Sequence, residues 1–225
     1  AKTKGKIKEI FSTYVSPDVV NQLVESGEIP KLGGQELEIT AFFSDIEGFS
    51  TFSEVLTPTE LVTLMNEYLS EMADIIKYDG SGTVDKYIGD AIVAMFGAPL
   101  AFQGHAYFAC VSAITMQDKQ LELCERWKKS GDWPEVVGNM KTRIGINTGR
   151  AIVGNMGSKD RLDYTMTGDT VNLAARTESG AKSYGVFTMV TEDSRAQAIE
   201  IKDDLVFRYL DKSVVKGRSQ PVRMY

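Results

Sequence analysis

Thr83-Val84-Asp85-Lys86-Tyr87-Ile88-Gly89-Asp90-Ala91-Ile92-Val93-Ala94-Met95-Phe96 decides the architecture. Two β-like runs, Thr83–Ile88 and Ala91–Phe96, flank Gly89-Asp90, a tight-turn signal, so the stretch reads as a β-hairpin. Upstream, Leu37, Ile39, Ala41 and Phe43 alternate along Leu37–Asp45, a strand with one buried face. Between the two lies Thr57-Pro58-Thr59-Glu60, a capping box with proline at the first helical position. Leu61, Leu64, Met65, Tyr68, Met72, Ile75 and Ile76 then mark one face of a long helix that closes near Gly80. Downstream the pattern predicts a helix from about residue 103 to 130 and strands at Lys141–Asn147 and Ala151–Val153 around Thr148-Gly149. A strand at Leu162–Met166 and a helix from about Asp169 to Lys182 follow. Strands at Phe187–Val190 and Leu205–Leu210 come next, and Ser213–Tyr225 closes a final hairpin. No repeat or long linker interrupts this order. It predicts one α+β domain with helices packed on a mainly antiparallel sheet.

At 225 residues the chain can bury a full core without staples. Its net charge of −6 argues against nucleic-acid binding, which needs a basic face. Nucleotides remain allowed, because a divalent metal can carry the positive charge. Cys110 and Cys124 share a predicted helix, ~21 Å apart at ~1.5 Å per residue, too far for a disulfide. They read as buried small hydrophobes of a reducing compartment. The single histidine, His105, reads as a surface or capping residue. The nonpolar run Ala91–Phe102 is broken by Gly97 and Pro99 and is too short to span a bilayer. Lys2, Lys4, Lys6 and Lys8 precede no apolar stretch, so they do not open a signal peptide. The start at alanine suggests a piece of something longer. Ile7, Ile10, Phe11, Tyr14 and Val15 follow helical spacing. Ser16-Pro17-Asp18 starts a second helix that Gly27 ends. These two helices read as a helical lead-in to the folded unit.

Asp45 sits where a strand ends and Asp90 in the hairpin turn. A central first strand and a neighbouring hairpin can bring these carboxylates together. Such a pair either holds Mg²⁺ or Mn²⁺, as hard cations prefer oxygen, or consists of solvated turn formers. Gly48 lets the backbone turn closely, so N–H groups near it could cradle phosphates. Asn172 and Arg176 share a helix face, either for a ligand or for water. Generic phosphate-loop, dinucleotide and nucleophile-elbow motifs are missing.

Four ordered motifs resemble the class III nucleotidyl cyclase catalytic domain. They are Phe42-Phe43-Ser44-Asp45-Ile46-Glu47-Gly48-Phe49, Val84–Ala91, Gly145-Ile146-Asn147-Thr148-Gly149 and Asp163–Arg176. The likeness runs from about residue 34 to the C-terminus and is nearest to bacterial adenylate cyclases of the bicarbonate-responsive, soluble type. This resemblance places the boundary at 33/34, with the lead-in at residues 1–33 and the catalytic domain at 34–225. It implies a ferredoxin-like core, a head-to-tail homodimer with two shared active sites, and two divalent cations, Mg²⁺ or Mn²⁺. By this resemblance Asp45, Asp90 and the carbonyl of Ile46 hold metal, and Gly48 and Phe49 lie along the substrate. Lys86 and Thr165 read the adenine edge, Asn172 orients the ribose, and Arg176 stabilises charge at the α-phosphate. Arg161, Lys216 and Arg218 are loop candidates for the terminal phosphates. The expected substrate is ATP, with bicarbonate as a possible stimulator, no nucleic acid, and an upstream sensor or membrane region on the same polypeptide. The expected place is the cytoplasm, including the cytoplasmic side of a membrane-attached bacterial protein. Guanylate cyclases typically carry Glu and Cys at the positions of Lys86 and Thr165, which sets that alternative apart. A non-catalytic nucleotide-sensing dimerisation module is the other alternative, and it would be expected to lose some of these residues.

Overall fold

The computed structural model describes residues 16–26, 31–158, 160–215 and 220–225. The expected helix at Ile7–Val15, its neighbour's stop at Gly27, and the candidates Lys216 and Arg218 lie outside the described residues.

After α1 (Pro17–Ser26) comes β1 (Gly33–Ile46), the strand around which the sheet is built. The short α2 (Phe49–Ser53) leads to α3 (Pro58–Asp74), which ends in a π-helical turn at Ile75–Asp79. The expected capping box starts α3: Glu60 N–H donates to Thr57 Oγ1 at 3.3 Å, and Thr57 N–H donates to Glu60 Oε2 at 2.8 Å. The hairpin β2 (Thr83–Ile88) and β3 (Ala91–Phe96) turns at Gly89-Asp90 as read from the sequence. Then follow α4 (His105–Ser130), the short α5 (Glu135–Gly138) and β4 (Thr142–Gly157). This βαββαβ run gives the strand order β2-β3-β1-β4, all antiparallel, which is the ferredoxin-like core. β5 (Leu162–Thr167) extends the sheet beyond β4, and β6 (Thr188–Val190) pairs with β4 in parallel. α6 (Asp169–Tyr184) lies between β5 and β6 in sequence. α7 (Glu192–Ile201) and a small hairpin, β7 (Asp211–Ser213) with β8 (Val222–Met224), complete the chain.

The two sheet faces bury different partners. Phe42, Ile46, Ile92, Ala94, Phe96, Ile144 and Ile146 pack against Leu64, Tyr68 and Met72 of α3 and Ala109, Met116 and Leu123 of α4. On the other face, Ile39, Ala41, Val93, Met95, Ala151 and Val153 pack against Val171 and Ala174 of α6. Side chains alternate along a strand, so Asp45, two residues beyond Phe43, belongs to the α6 face.

α6 sits unusually close to β4, and the odd-numbered positions of the Gly-Ile-Asn-Thr-Gly motif form its bed. A Cβ on Gly145 would lie 2.0 Å from the Glu178 backbone nitrogen and 2.6 Å from the Ala174 oxygen. A Cβ on Gly149 would meet Thr170 Oγ1 at 2.9 Å. Between them Asn147 Nδ2 donates to the Thr170 carbonyl at 2.9 Å, and Asn147 Oδ1 accepts from Thr191 Oγ1 at 2.7 Å.

Several expectations change. β4 is one continuous strand, not two runs around Thr148-Gly149, because β1 pairs with it without interruption from Ile46↔Thr142 to Gly33↔Asn155. Gly149 is there for the approach of α6 rather than for a turn. Leu205–Leu210 is not a strand: Leu205 and Phe207 do face the core, but among the described residues the stretch enters no ladder, only Leu210 N–H meeting the Met224 carbonyl at 2.9 Å. The final hairpin starts at Asp211 rather than Ser213. α7 carries no strong apolar stripe, with only Ser194 and Ala198 fully buried, and its pattern did not mark it as a helix. His105 is neither a cap nor a free surface group: it is the first residue of α4, half-buried, with Nδ1 2.8 Å from Thr40 Oγ1. Both cysteines are free and buried, as read from their spacing, and burial pushes the Cys110 thiol up to about 12. No helix among the described residues is long and apolar enough to cross a membrane.

Gly145→Ala is therefore expected to destabilise the fold by about 1–3 kcal/mol or more, the usual cost of forcing a methyl into a packed seam. Urea unfolding measures this; an unchanged midpoint would contradict the close seating of α6.

Candidate active site

β3 stops pairing with β1 at Ser44↔Ile92, so the Ile46 N–H lies beyond that ladder. Asp90, projecting from the β2–β3 turn, takes it: Ile46 N–H donates to Asp90 Oδ2 at 2.9 Å. This bond brings the hairpin turn against the end of β1 and sets the Asp90 carboxyl near enough to Asp45 to push its pKa up. Asp45 faces Arg143 across the β1–β4 ladder. Arg143 is only 12% exposed and serves three carboxylates: Asp45 Oδ2 at 3.2 Å, Glu47 Oε1 at 3.4 Å and Glu178 Oε1 of α6 at 3.0 Å. Burial is the first cause that pushes the Asp45 carboxyl up to about 7, followed by its hydrogen bond and charge repulsion with Asp90, then Glu178; Arg143 opposes them. Two adjacent carboxylates with one shared guanidinium are under-neutralised. Their oxygens are hard donors of the kind that could hold Mg²⁺ or Mn²⁺. Among the described residues no group of three His, Cys, Asp or Glu side chains forms a ready-made cage, so a cation here would draw its other ligands from water or substrate. Gly48 follows with φ +69°, a left-handed turn that glycine takes without strain, and Phe49 opens α2.

A second group lies on β2 and β5. β2 is bulged between Val84 and Lys86, so Thr83 pairs with Met95 but Lys86 pairs with Val93. The extra residue puts Asp85 and Lys86 side by side instead of on opposite faces. Asp85 is 2% exposed. It accepts from Thr165 Oγ1 at 2.5 Å, and Lys86 Nζ stands 3.6 Å from its other oxygen. Its carboxyl is raised above the ordinary range by burial, against the pull of Thr165, Lys86 and the Met166 N–H. This hydrogen bond joins β5 to β2, the two ends of the main strand order.

The third group is on α6. Asn172 is exposed and Arg176 half-buried, and they share a face as their spacing requires. Among the described residues no carboxylate pairs with the Arg176 guanidinium. Glu178, two residues further on, is ~200° around the helix and points to Arg143. Asn172 and Arg176 therefore face away from the carboxylate pair of their own chain. Arg161 is exposed on the β4–β5 turn, where Ser158 N–H donates to its carbonyl at 2.9 Å; this is the opposite end of β4 from Arg143.

The carboxylate pair and the Lys86–Thr165 pair thus assemble as the sequence suggests, while the α6 pair stands apart from the carboxylates. Three participants were missed. Arg143 is one cation in a strand whose register was unknown, Glu178 is one of several acids on a helix, and Asp85 stands inside a quoted motif but needed the bulge to reveal its side.

Residues 34–225 match the family described as the adenylate and guanylate cyclase catalytic domain. Adenylate cyclase 1 of Rhizobium meliloti (strain 1021) is 36% identical over 215 residues, covering 96% of this chain and 31% of that protein; the chain thus spans about a third of that relative's length. The crystal structure of the adenylyl cyclase CyaB from P. aeruginosa superposes with a TM-score of 0.76 at 36% identity, over 86% of this chain and 95% of that one. The guanylyl cyclase Cya2 gives 0.74 at 34% identity, over 86% and 92%.

Because the Asp45 pKa is raised, the residue contributes to the stability of the metal-free fold below about pH 4, and the contribution is lost as pH rises through about 7. In EDTA, Asp45→Asn should lose less stability than the parent between pH 5 and pH 8. Mn²⁺ at pH 8 should raise the parent's Tm and leave the variant's nearly unmoved. Thermal melts with parallel pH profiles and equal Mn²⁺ responses would contradict the crowded-carboxylate account.

Proposed function

The chain belongs to the family of adenylate and guanylate cyclase catalytic domains, and within it we propose an adenylate cyclase, converting ATP to 3′,5′-cyclic AMP and pyrophosphate. The observation that carries the choice of base is the Lys86–Asp85–Thr165 cluster. Lys86 can donate to adenine N1 and Thr165 can accept from the 6-amino group, whereas guanine presents the reverse at both atoms. Overall likeness does not choose, since an adenylyl and a guanylyl cyclase superpose about equally well.

Asp45, Asp90 and the Ile46 carbonyl would hold the divalent cations. Bound there, two such ions would acidify the ribose 3′-hydroxyl and neutralise the triphosphate and its leaving group. The 3′-oxygen attacks the α-phosphorus, the bond to the bridging oxygen of the β-phosphate breaks, and the hydroxyl proton passes to solvent. Asn172 orients the ribose, and Arg176 meets charge that grows on the α-phosphate. Arg143, beside the carboxylates, is better placed for the terminal phosphates than Arg161. The Gly48–Phe49 turn supplies backbone N–H groups nearby.

Each site is shared between two copies arranged head to tail. The opposed faces of α6 support this: Glu178 is tied to the carboxylate end of its own chain, and Asn172 and Arg176 point elsewhere. A second copy related by a two-fold axis would supply the missing groups twice over. The same reading carries a bicarbonate response and control by an upstream region of the polypeptide. A non-catalytic module is disfavoured because Asp45, Asp90, Lys86, Thr165, Asn172 and Arg176 are all present.

Incubation with ATP or GTP and Mg²⁺ or Mn²⁺ should yield cyclic AMP in preference to cyclic GMP. Lys86→Glu with Thr165→Cys should lower ATP use and raise relative GTP use, because the senses of the hydrogen bonds are inverted. An unchanged ratio of kcat/KM would show that other residues read the base.

A further inference from the structure

A threonine hydroxyl is an ambiguous reader of a purine. It has one proton and two lone pairs, and it rotates to suit its partner. Left to itself, Thr165 could accept from the 6-amino group of adenine or donate to the 6-oxo group of guanine. Here it is not left to itself. Its proton is directed at Asp85 Oδ2 at 2.5 Å. The carboxylate's other oxygen forms an ion pair with the Lys86 ammonium at 3.6 Å. A hydroxyl donor and a cation thus converge on one carboxylate, one at each oxygen.

We propose that Asp85 is a specificity-determining residue that fixes the Thr165 hydroxyl as an acceptor toward the base and so selects adenine nucleotides over guanine nucleotides. With its proton committed inward, Thr165 offers only lone pairs outward. Lys86 offers only N–H. The pair becomes a fixed acceptor–donor edge, complementary to the 6-amino group and N1 of adenine. Against guanine, acceptor meets acceptor at position 6 and donor meets donor at N1. Packing does not require a carboxylate at this place. A side chain 2% exposed carries a desolvation cost, and an apolar residue would fill the volume. The β-bulge at Val84/Lys86 is what turns Asp85 to the same side as Lys86. The inference rests on the reading that Lys86 and Thr165 contact the base; Asp85 itself acts through Thr165 and is a positioning residue.

The test is the ATP:GTP ratio of kcat/KM in the whole chain, for the parent, Asp85→Asn, Thr165→Val and Lys86→Ala. A ratio taken on one preparation cancels any loss of folded protein. The amide introduced by Asp85→Asn can donate to the Thr165 oxygen, which frees the hydroxyl proton to point at the base. Asp85→Asn should therefore lower the ratio about tenfold, the order expected for one misread hydrogen bond. GTP turnover should fall less than ATP turnover. If Thr165→Val and Lys86→Ala both leave the ratio unchanged, the base is read elsewhere and the inference falls with that reading. If they shift it while Asp85→Asn stays within about twofold of the parent, the inference alone is overturned. Inosine triphosphate, with its 6-oxo group and N1–H, gives a check that needs no variant. The unmodified protein should use it about tenfold less well than ATP, or worse, and equal use would overturn the fixed polarity.

Discussion

The seating of α6 on β4 governs what this domain can do with its functional side chains. Gly145 and Gly149 let the helix lie almost backbone to backbone on the strand, and Asn147 fastens its first turn. A helix held that closely cannot roll. Its rotation about its own axis is set, and with it the direction of every side chain it carries. Glu178 is sent to Arg143 and Asp45, and Asn172 and Arg176 are sent to the other side. Within one chain the two groups of side chains are thus held apart by two glycines and one asparagine of β4. The apolar residues of α6, Val171 and Ala174, then complete the seam.

Charge supplies the second constraint. Four acids, Asp45, Glu47, Asp90 and Glu178, gather at the end of β1 around one nearly buried guanidinium. Buried charge is costly unless paired, and Arg143 does not neutralise this group alone. The local fold is arranged to tolerate the excess: the Ile46 N–H binds Asp90, and beneath, Tyr68 is hydrogen-bonded to Thr142, the partner of Ile46 in the ladder. Such a site gains from a divalent cation and from the phosphates that arrive with it. The Asp85 cluster follows the opposite rule. There a single buried acid already accepts from Thr165 and pairs with Lys86, so no excess charge is left for a cation to neutralise.

Much of this was legible in the sequence. The β2–β3 hairpin, the capped α3, the strand around Phe42 and the joining of Asp45 to Asp90 follow from alternation, turn residues and simple topology. What local pattern cannot carry is partner choice. Thr148-Gly149 has the composition of a turn, yet β1 holds it in a straight ladder. Leu205 and Phe207 alternate as a strand does, but no described edge receives them. α7 has a helix's geometry with hardly any apolar stripe, because its buried contacts are Ser194 and Ala198. Arg143 and Glu178 gain meaning only through register and helix rotation, which depend on residues far away in the chain. Asp85 is displaced to its working side by a one-residue bulge that composition does not announce.

The claim that sites are shared between copies is tested most directly by complementation of Asp45→Ala with Arg176→Ala. Each variant alone should be nearly inactive, the second by on the order of 10²–10³ in rate. In a mixed dimer both defects fall in one site and leave the other intact. Equal mixing with free exchange makes about half the dimers mixed, each with one good site of two, so activity should return to roughly a quarter of the parent's. A mixture no more active than its components, with subunit exchange shown independently, would mean that each site is built within a single chain.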